Sequence, residues 1–449
     1  MPLGPLPGFR DFYPTEYAER SYLFDTWRDV ARRFGFVEYD GPPLESLELY
    51  TRKSGDEIVG QLYNFVDKGG REVALRPEMT PTLARMVSAR ANALRKPVRW
   101  FSVPQLFRYE RQQRGRLREH FQLNLDIIGE ADVTADAELL AAVIEVLRAL
   151  RLGPGDARAR VSDRRLLQGL LLLTGVREQT LPAVYGVVDK MERDPRSSLE
   201  RRLAQAGLAA DVIDRLFDLL AMSRDIDALR TRYGDAPSLR DEFARLDRYF
   251  ELLRALDVLD WVSFDLSIVR GLAYYTGIVF EVFDNKGELR AICGGGRYDT
   301  LLKSLGDTDL PALGVGMGDV VLAELLRDRG LMPAFAPSLD FWVASEADDL
   351  VPEVMRVATA LRRVGRSVEY SLRKQTLDKQ RKAARAAGAV RIITLDGALA
   401  AEGVVRMQWV DPADAQAAGT GPAGRKISLD GLLDELISRS PPAAERSLP

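Results

Sequence analysis

The chain has 449 residues, enough for two or three domains that each bury a core, and its 63 Lys and Arg against 66 Asp and Glu leave a net charge of −3. One cysteine, Cys293, and one histidine, His120, exclude an intrachain disulfide, a Cys-rich zinc site and a histidine-based metal cluster within one chain. What remains for chemistry is Arg, Lys, Glu, Asp, Gln and Tyr, an inventory suited to positioning and charge stabilisation, as in phosphoryl or nucleotidyl transfer.

Because the chain is slightly acidic overall, any nucleic-acid contact has to come from local basic patches. Apolar runs such as 166–173 are too short to span a bilayer, and the N-terminus shows no charged-then-apolar signal segment. Both features point to a cytoplasmic protein without a membrane anchor.

Residues 14–35, "PTEYAERSYLFDTWRDVARRFG", read as an amphipathic helix with Tyr17, Phe24, Trp27, Ala31 and Phe34 along one face and Gly35 as its stop. From about 36 to 130 the pattern is strands and turns, with Lys68-Gly69-Gly70 as a hairpin turn. A helix is expected over 134–151. Residues 163–255 are mostly helical, rich in Leu, Arg and Asp, and read as a helical insertion within a strand-rich domain that spans 1–330. Strands return at 261–299, and one more strand and helix close that domain. A Pro-bearing linker covers 331–340.

Beyond the linker, strands and helices alternate: "FWVAS", a helix over 347–365, "SVEYSL", a helix over 375–388, "VRIITL", a strand at 403–410 and a last helix near 429–438. This is a small α/β domain over 341–440. Residues 441–449 read as a disordered tail.

Five stretches carry the chemistry. In "LFRYERQQRGRLREHFQLNLDII", 106–128, two strands flank a loop. Strand alternation puts Arg108 and Glu110 on one face, and Gln122, Asn124 and Asp126 opposite Leu123, Leu125 and Ile127. The loop places Arg111, Arg114, Arg116 and Arg118 close together, which suits a triphosphate or a nucleic-acid backbone. A half-exposed sheet with a solvated polar face fits the same pattern. In "LRPEMT", 75–80, Glu78 and Thr80 share a face if extended and would receive an ammonium group, unless they only form a surface salt bridge.

In "ICGGGRYDTLL", 292–302, the glycine run calls either for close approach of a ligand or chain, or for a tight bend. It has neither P-loop nor dinucleotide-fold spacing. "VRGLAYYTGIVFE", 269–281, sets Arg270, Tyr274 and Tyr275 among glycines and β-branched residues, either as a plain strand pair or as a pocket floor. Residues 371–391 hold Arg373, Lys374, Lys379, Arg381, Lys382, Arg385 and Arg391 against Asp378. Alone this would be a solvated helix face; beside the other polyanion signals it reads as a phosphate-backbone patch.

Taken together, these residues carry a resemblance. "FRYERQQRGRLREHFQLNLDIIG" resembles the motif 2 hairpin of class II aminoacyl-tRNA synthetases in the form found in histidyl-tRNA synthetases, and "VRGLAYYTGIVFE" resembles the histidine-binding motif of that family. "GGGRYD" resembles the glycine-rich strand that follows it, "PGFRDFYP" the N-terminal opening, "GPPLE" motif 1 with Pro42, and "SLRKQTLDKQRKAARAAGA" the C-terminal anticodon-binding domain.

The resemblance implies an α+β fold: a class II antiparallel sheet flanked by helices, with a helical insertion and a C-terminal α/β anticodon-binding domain, dimerising through motif 1. It implies that histidine and ATP, accompanied by Mg2+, give histidyl-adenylate and pyrophosphate, and that histidine then passes to the 3′ end of the histidine tRNA. On matched positions, Arg108 meets the ATP α-phosphate, Glu110 the adenine and Arg116 the γ-phosphate. Glu78, Thr80 and Gln122 hold the substrate ammonium. Asp126 and Tyr275 grip the imidazole, with Tyr274 beside them, and Arg270 is the catalytic arginine at the α-phosphate. Arg114 and Arg118, with Arg373, Lys374, Lys379, Arg381 and Lys382, are the expected tRNA contacts. His120 is expected to be structural or close to tRNA, and no metal site made by protein ligands alone is expected.

Four positions depart from the family pattern. Ala273 replaces an aspartate, Gln112 replaces a motif 2 proline, and Val320 and Val321 stand where motif 3 ends in a Glu-Arg pair whose arginine clamps the γ-phosphate. That last loss favours an alternative, a non-catalytic histidine-sensing regulatory subunit of ATP phosphoribosyltransferase. Motif 2, Arg270 and the basic C-terminal domain favour the enzyme.

Overall fold

Pro14, whose fixed φ suits the first helical turn, opens the helix Pro14–Arg33, and Gly35 at φ +72° ends it. The computed structural model describes residues 4–54, 56–109, 115, 117–269, 275–306, 308–336, 338–397, 402–411, 413, 416 and 424–438. The chain divides into two compact units, Met1–Pro333 and Ala334–Pro449. The first helix buries Leu23, Trp27, Val30 and Ala31. Tyr17 was expected on that face but is 52% exposed, and it holds the Arg20 guanidinium 4.3 Å from its ring centre. Periodicity does not distinguish such a cation–π contact from core packing.

The strands of the first unit are β1 (Val37–Glu38), β2 (Leu44–Ser46), β3 (Asn64–Val66), β4 (Glu72–Leu75), β5 (Val98–Ser102), β6 (Gln105–Phe107), β7 (Glu119–Ile128), β8 (Ala157–Asp163), β9 (Val262–Phe264), β10 (Ile278–Asp284), β11 (Cys293–Arg297) and β12 (Ala312–Gly318). Nine of them make one sheet in the order β1-β5-β7-β12-β11-β10-β8-β9, with β6 paired to β7. The β1–β5 and β8–β9 pairs are parallel, and the rest of this sheet is antiparallel. A small separate sheet runs β2-β4-β3. Its β3–β4 hairpin turns at Gly70, φ +77°, where the Asp67 carboxylate accepts from the backbone of Gly69 and Arg71.

Strand alternation in β7 separates two cores. Leu123, Leu125 and Ile127 pack with Trp27 and with the helix Val133–Ala149, which Asp132 caps by accepting from the Thr134 amide. Ile128, on the other face, joins Leu83, Ala84, Val87, Val279, Tyr275 and Tyr298. The polar face of β7 is therefore covered, and Asn124 and Asp126 are buried rather than solvated.

Between β8 and β9 the chain runs through helices from Arg164–Leu173 to Arg240–Ala255. Fully buried Asp163 ties the two ends of this insertion together. It accepts from the amides of Arg165 and Leu166, and from Arg245 Nη2 at 2.7 Å.

The second unit has β13 (Leu339–Ser345), β14 (Val368–Tyr370), β15 (Ala389–Leu395), β16 (Val404–Trp409) and β17 (Arg425–Ser428), in the order β14-β13-β15-β16-β17. The first three are parallel and the last two antiparallel. The helices Val351–Arg363, Leu377–Ala386 and Leu429–Ser438 accompany them. The short charged strand β17 is an addition to the expected pattern, stabilised by its neighbour β16 rather than by propensity. Among the described residues, no helix is long and apolar enough to cross a membrane. The tail 441–449 lies outside the described residues.

Candidate active site

The middle of the large sheet carries a cleft of about 560 Å³ lined by Arg108, His120, Gln122, Glu281, Val320 and Val321, among others. Its floor follows from strand register. β12 runs beside β7 with Gly314 opposite Asp126, Gly316 opposite Asn124 and Gly318 opposite Gln122. A Cβ on Gly314 would fall 2.1 Å from Asp126 Oδ1, and one on Gly316 would fall 2.7 Å from Gln122 Nε2. The polar side chains of β7 thus occupy room that glycines of β12 leave open. Gly296 does the same on β11, where a Cβ would come within 3.0 Å of the Tyr275 ring.

Asp126 is 4% exposed and accepts a hydrogen bond from the Tyr298 hydroxyl, from a residue 172 positions away. Trp100 lies opposite Asp126 on β5, and its ring is 5.3 Å from that of Tyr39. The Tyr39 phenol is pushed well above its ordinary range, first by burial and then by the Asp126 charge, so it stays protonated beside the carboxylate. Tyr275 is buried in the same cluster as Tyr298.

Arg108 sits just past β6, its amide donating to Arg118 O at 2.8 Å. Its Nε donates to Pro77 O at 3.0 Å, which links the motif 2 hairpin to the segment that carries Glu78 and Thr80. That segment is extended only to Leu75, because Thr80 opens the helix Thr80–Arg90 with Pro81 in its first turn. Glu78 and Thr80, both half-buried, therefore do not share a strand face; a turn into a helix presents them. Buried Arg76 pins this turn, donating to Asp40 Oδ1 at 2.6 Å, Gly41 O at 2.8 Å and Gln105 O at 3.1 Å.

Sequence patterns left several of these residues without a part. Tyr298 stands within "GGGRYD", Arg76 within "LRPEMT", and Arg10 within "PGFRDFYP". Arg10 bridges Glu119, at 2.7 Å, and Asp319, at 2.9 Å, beside the start of the helix that bears Val320 and Val321. Burial pushes the Asp319 carboxyl up despite that partner. Asp319 also accepts from the Phe121 amide at 2.9 Å, so the helix Asp319–Asp328 is docked against β7 with Val320 and Val321 facing the cleft. An arginine or tyrosine inside an otherwise apolar or glycine-rich motif was the available signal, but its partner is invisible locally.

Arg118 is half-buried with its guanidinium 4.5 Å from the centre of the Tyr109 ring. Glu110, Arg114, Arg116, Arg270 and Tyr274 lie outside the described residues. In the second unit, Arg373, Lys374, Lys379, Arg381 and Lys382 are exposed on or just before the helix Leu377–Ala386, which turns Gln380 and Ala384 inward. Among the described residues, no group of three or more His, Cys, Asp or Glu is placed to hold a metal ion.

A sequence profile described as histidyl-tRNA synthetase matches residues 8–318. The chain is 45% identical over 400 residues to a histidine-tRNA ligase of Opitutus terrae, covering 86% of this chain and 88% of that relative. It is 42% identical over 391 residues to a chloroplastic/mitochondrial histidine-tRNA ligase of Arabidopsis thaliana, covering 87% of this chain and 80% of that one. The fold matches the crystal structure of a histidyl-tRNA synthetase from Nostoc sp. PCC 7120 with a TM-score of 0.79 at 24% identity, over 98% of this chain and 100% of the other. A structure from Bacillus halodurans C, described as an ATP phosphoribosyltransferase regulatory subunit/histidyl-tRNA synthetase, matches with a TM-score of 0.72 at 22% identity, over 88% of this chain and 98% of the other. By the extent of the profile match and by identity to relatives over most of its length, this chain belongs to the histidyl-tRNA synthetase family.

Proposed function

We propose that the chain ligates histidine to its tRNA at the expense of ATP, through a histidyl-adenylate. The observation that carries this is buried Asp126, held by the Tyr298 hydroxyl on the β7 face that also carries Gln122, which lines the cleft with Arg108. A buried carboxylate with a fixed phenol partner selects a side chain that donates N–H, and rejects isosteres that cannot. Tyr275 completes that grip. Gln122, with Glu78 and Thr80, orients the ammonium, so the substrate carboxylate is turned toward the ATP side of the cleft.

There the carboxylate oxygen attacks the α-phosphorus and pyrophosphate leaves with the bond electrons. Arg108 and Arg270 stabilise the charge that builds on the α-phosphate, while Glu110 and Arg116 hold the adenine and γ-phosphate. The terminal ribose hydroxyl of the tRNA then attacks the acyl carbon, and AMP departs. Mg2+ would arrive on the ATP phosphates, with Glu281 and Glu288 as the nearby carboxylates of the cleft wall. The first unit would act as the catalytic domain. The second would read the tRNA, with Arg373, Lys374, Lys379, Arg381 and Lys382 as its phosphate contacts and Arg114 and Arg118 as those of the first. A cytoplasmic homodimer fits this role: β1 is a short edge strand whose Val37 is 63% exposed, an edge that a second copy would cover.

Histidine-dependent ATP–pyrophosphate exchange, run beside charging of histidine tRNA, tests this. Arg270→Ala is expected to lower the exchange rate by about 10²–10³-fold, the loss typical of one transition-state donor. The regulatory-subunit reading rests on Val320 and Val321. Histidine binding without any exchange in the unaltered protein would support it instead.

Gly314→Ala provides a second check on the histidine site. Its new Cβ has no room beside Asp126 Oδ1, so the carboxylate must move. The KM for histidine is expected to rise about tenfold or more, since one displaced charge-assisted hydrogen bond is worth roughly 1.5–3 kcal/mol, while the KM for ATP changes little. Unchanged histidine kinetics would show that Asp126 does not hold the imidazole.

A further inference from the structure

The cleft that would hold ATP presents an aliphatic wall, Val320 and Val321, at the start of the helix Asp319–Asp328. A triphosphate brought against such a wall needs its charge met from another side. The described cations lining the cleft are Arg108, Arg193 and Arg290. Arg108 has its Nε committed to Pro77 O, in the segment that carries Glu78. Arg290 is the one that flanks Gly115 together with Val321. A Cβ built on Gly115, in the loop of the motif 2 hairpin, would lie 3.2 Å from Val321 Cγ2, and 3.9 Å from both Arg290 Cδ and the carboxylate oxygen Glu324 Oε2, so a phosphate here would meet the cation with Glu324 beside it. The methyl of Val321, the bare backbone of Gly115 and the stem of Arg290 therefore converge on one spot.

We propose that Arg290, on the turn between β10 and β11, binds the terminal phosphates of ATP and takes the place of the cation that Val321 does not supply. The proposal rests on the synthetase reading of the cleft and assigns a phosphate contact within it. Arg290 is exposed, as a group that meets an incoming nucleotide must be, yet its turn is braced. Buried Asp284, at the end of β10, accepts from the amides of Lys286 at 3.1 Å and Glu288 at 3.2 Å, and is itself held by Arg329. The Ile292 amide closes the other side, donating to Val282 O at 2.8 Å. A guanidinium carried on a fixed turn loses less freedom on binding and can present two N–H groups to one phosphate. Val321 is small enough to leave space for this approach from the opposite strand pair.

The test is a steady-state and calorimetric comparison of the full-length protein with Arg290→Ala, Arg290→Lys and the double variant Arg290→Ala/Val321→Arg. Arg290→Ala is expected to raise the KM for ATP in pyrophosphate exchange, and the Kd for ATP by calorimetry, about tenfold or more. The KM for histidine should stay within about twofold, and so should the Kd for a histidyl-adenylate sulfamoyl analogue, which lacks the β- and γ-phosphates. Arg290→Lys should recover part of the loss, and Val321→Arg in the alanine background should recover more, because it restores a cation at the same spot from the other wall. Equal weakening of ATP and of the analogue would mean a structural role and overturn the assignment, as would an unchanged Kd for ATP. If the unaltered protein showed no exchange, the synthetase reading would fall. Its Kd for ATP, compared with that of Arg290→Ala, would still decide the phosphate contact.

Discussion

Asp126→Ala is expected to lower kcat/KM for histidine in pyrophosphate exchange by about 10³-fold or more while leaving the KM for ATP nearly unchanged. Truncating one partner of a buried, hydrogen-bonded charged contact costs roughly 2–5 kcal/mol, and sites built to bond a polar substrate group discriminate by up to about 10⁵-fold. Two features put Asp126 at the upper end of that range. Its carboxylate lies between Trp100 on β5 and the bare backbone of Gly314 on β12, where water has little access to replace it. Its removal also leaves the hydroxyl of Tyr298, which is 3% exposed, without this acceptor. Asp126→Asn, which keeps the shape and loses the charge, should fall between the two. The measurement is exchange rate against histidine concentration, with circular dichroism to verify the fold. A variant with normal histidine kinetics would remove Asp126 from the imidazole site.

Arg297→Met is expected to destabilise the first unit by about 3–5 kcal/mol, the range for removing one member of a buried ion pair, as measured by urea unfolding. Arg297 sits at the end of the glycine strand β11 and is 4% exposed. Its Nη2 reaches Asp136 Oδ2 at 2.6 Å, and its Nε lies 3.1 Å from the same oxygen. Nη1 donates to Glu130 O at 2.8 Å and to Asp299 Oδ1 at 3.2 Å, and Nη2 also reaches Asp132 O at 3.3 Å. One guanidinium thus joins the floor of the cleft to the start of the helix Val133–Ala149.

Burial already pushes the Asp136 carboxyl up to about 6 in spite of Arg297. Because the folded value lies above the unfolded one, the folded state binds the proton more tightly, and stability is lost as pH rises from the unfolded value through the folded one. Without Arg297 the folded value rises further. The destabilisation of Arg297→Met should therefore be larger at pH 8 than at pH 5, and equal losses at both would show that Asp136 is not the group left unpaired.

Local features of this protein were legible in its sequence because they depend on neighbours a few residues away. The stop at Gly35, the hairpin at Gly70 and the alternation of Leu123, Leu125 and Ile127 against Gln122, Asn124 and Asp126 follow from turn chemistry and from the two-residue period of a strand. The order of motifs was legible too, and with it the family and the identity of Arg108, Gln122, Asp126 and Tyr275 as site candidates. The extended reading of Glu78 and Thr80 failed where a proline two residues past Met79 tipped the chain into a helix.

Whether the polar face of β7 meets solvent or a pocket depended on what covers it, and only the packed sheet decided that. The same holds for the long-range contacts around the cleft. Tyr298 reaches Asp126, Arg10 bridges Glu119 and Asp319, Arg76 reaches Asp40, and Val321 and Arg290 both flank Gly115, through pairings between distant segments. A residue's type and spacing determine the face on which it can stand. Its partner is set by strand register and helix docking, which sum weak contacts over the whole domain and leave no local trace in the sequence.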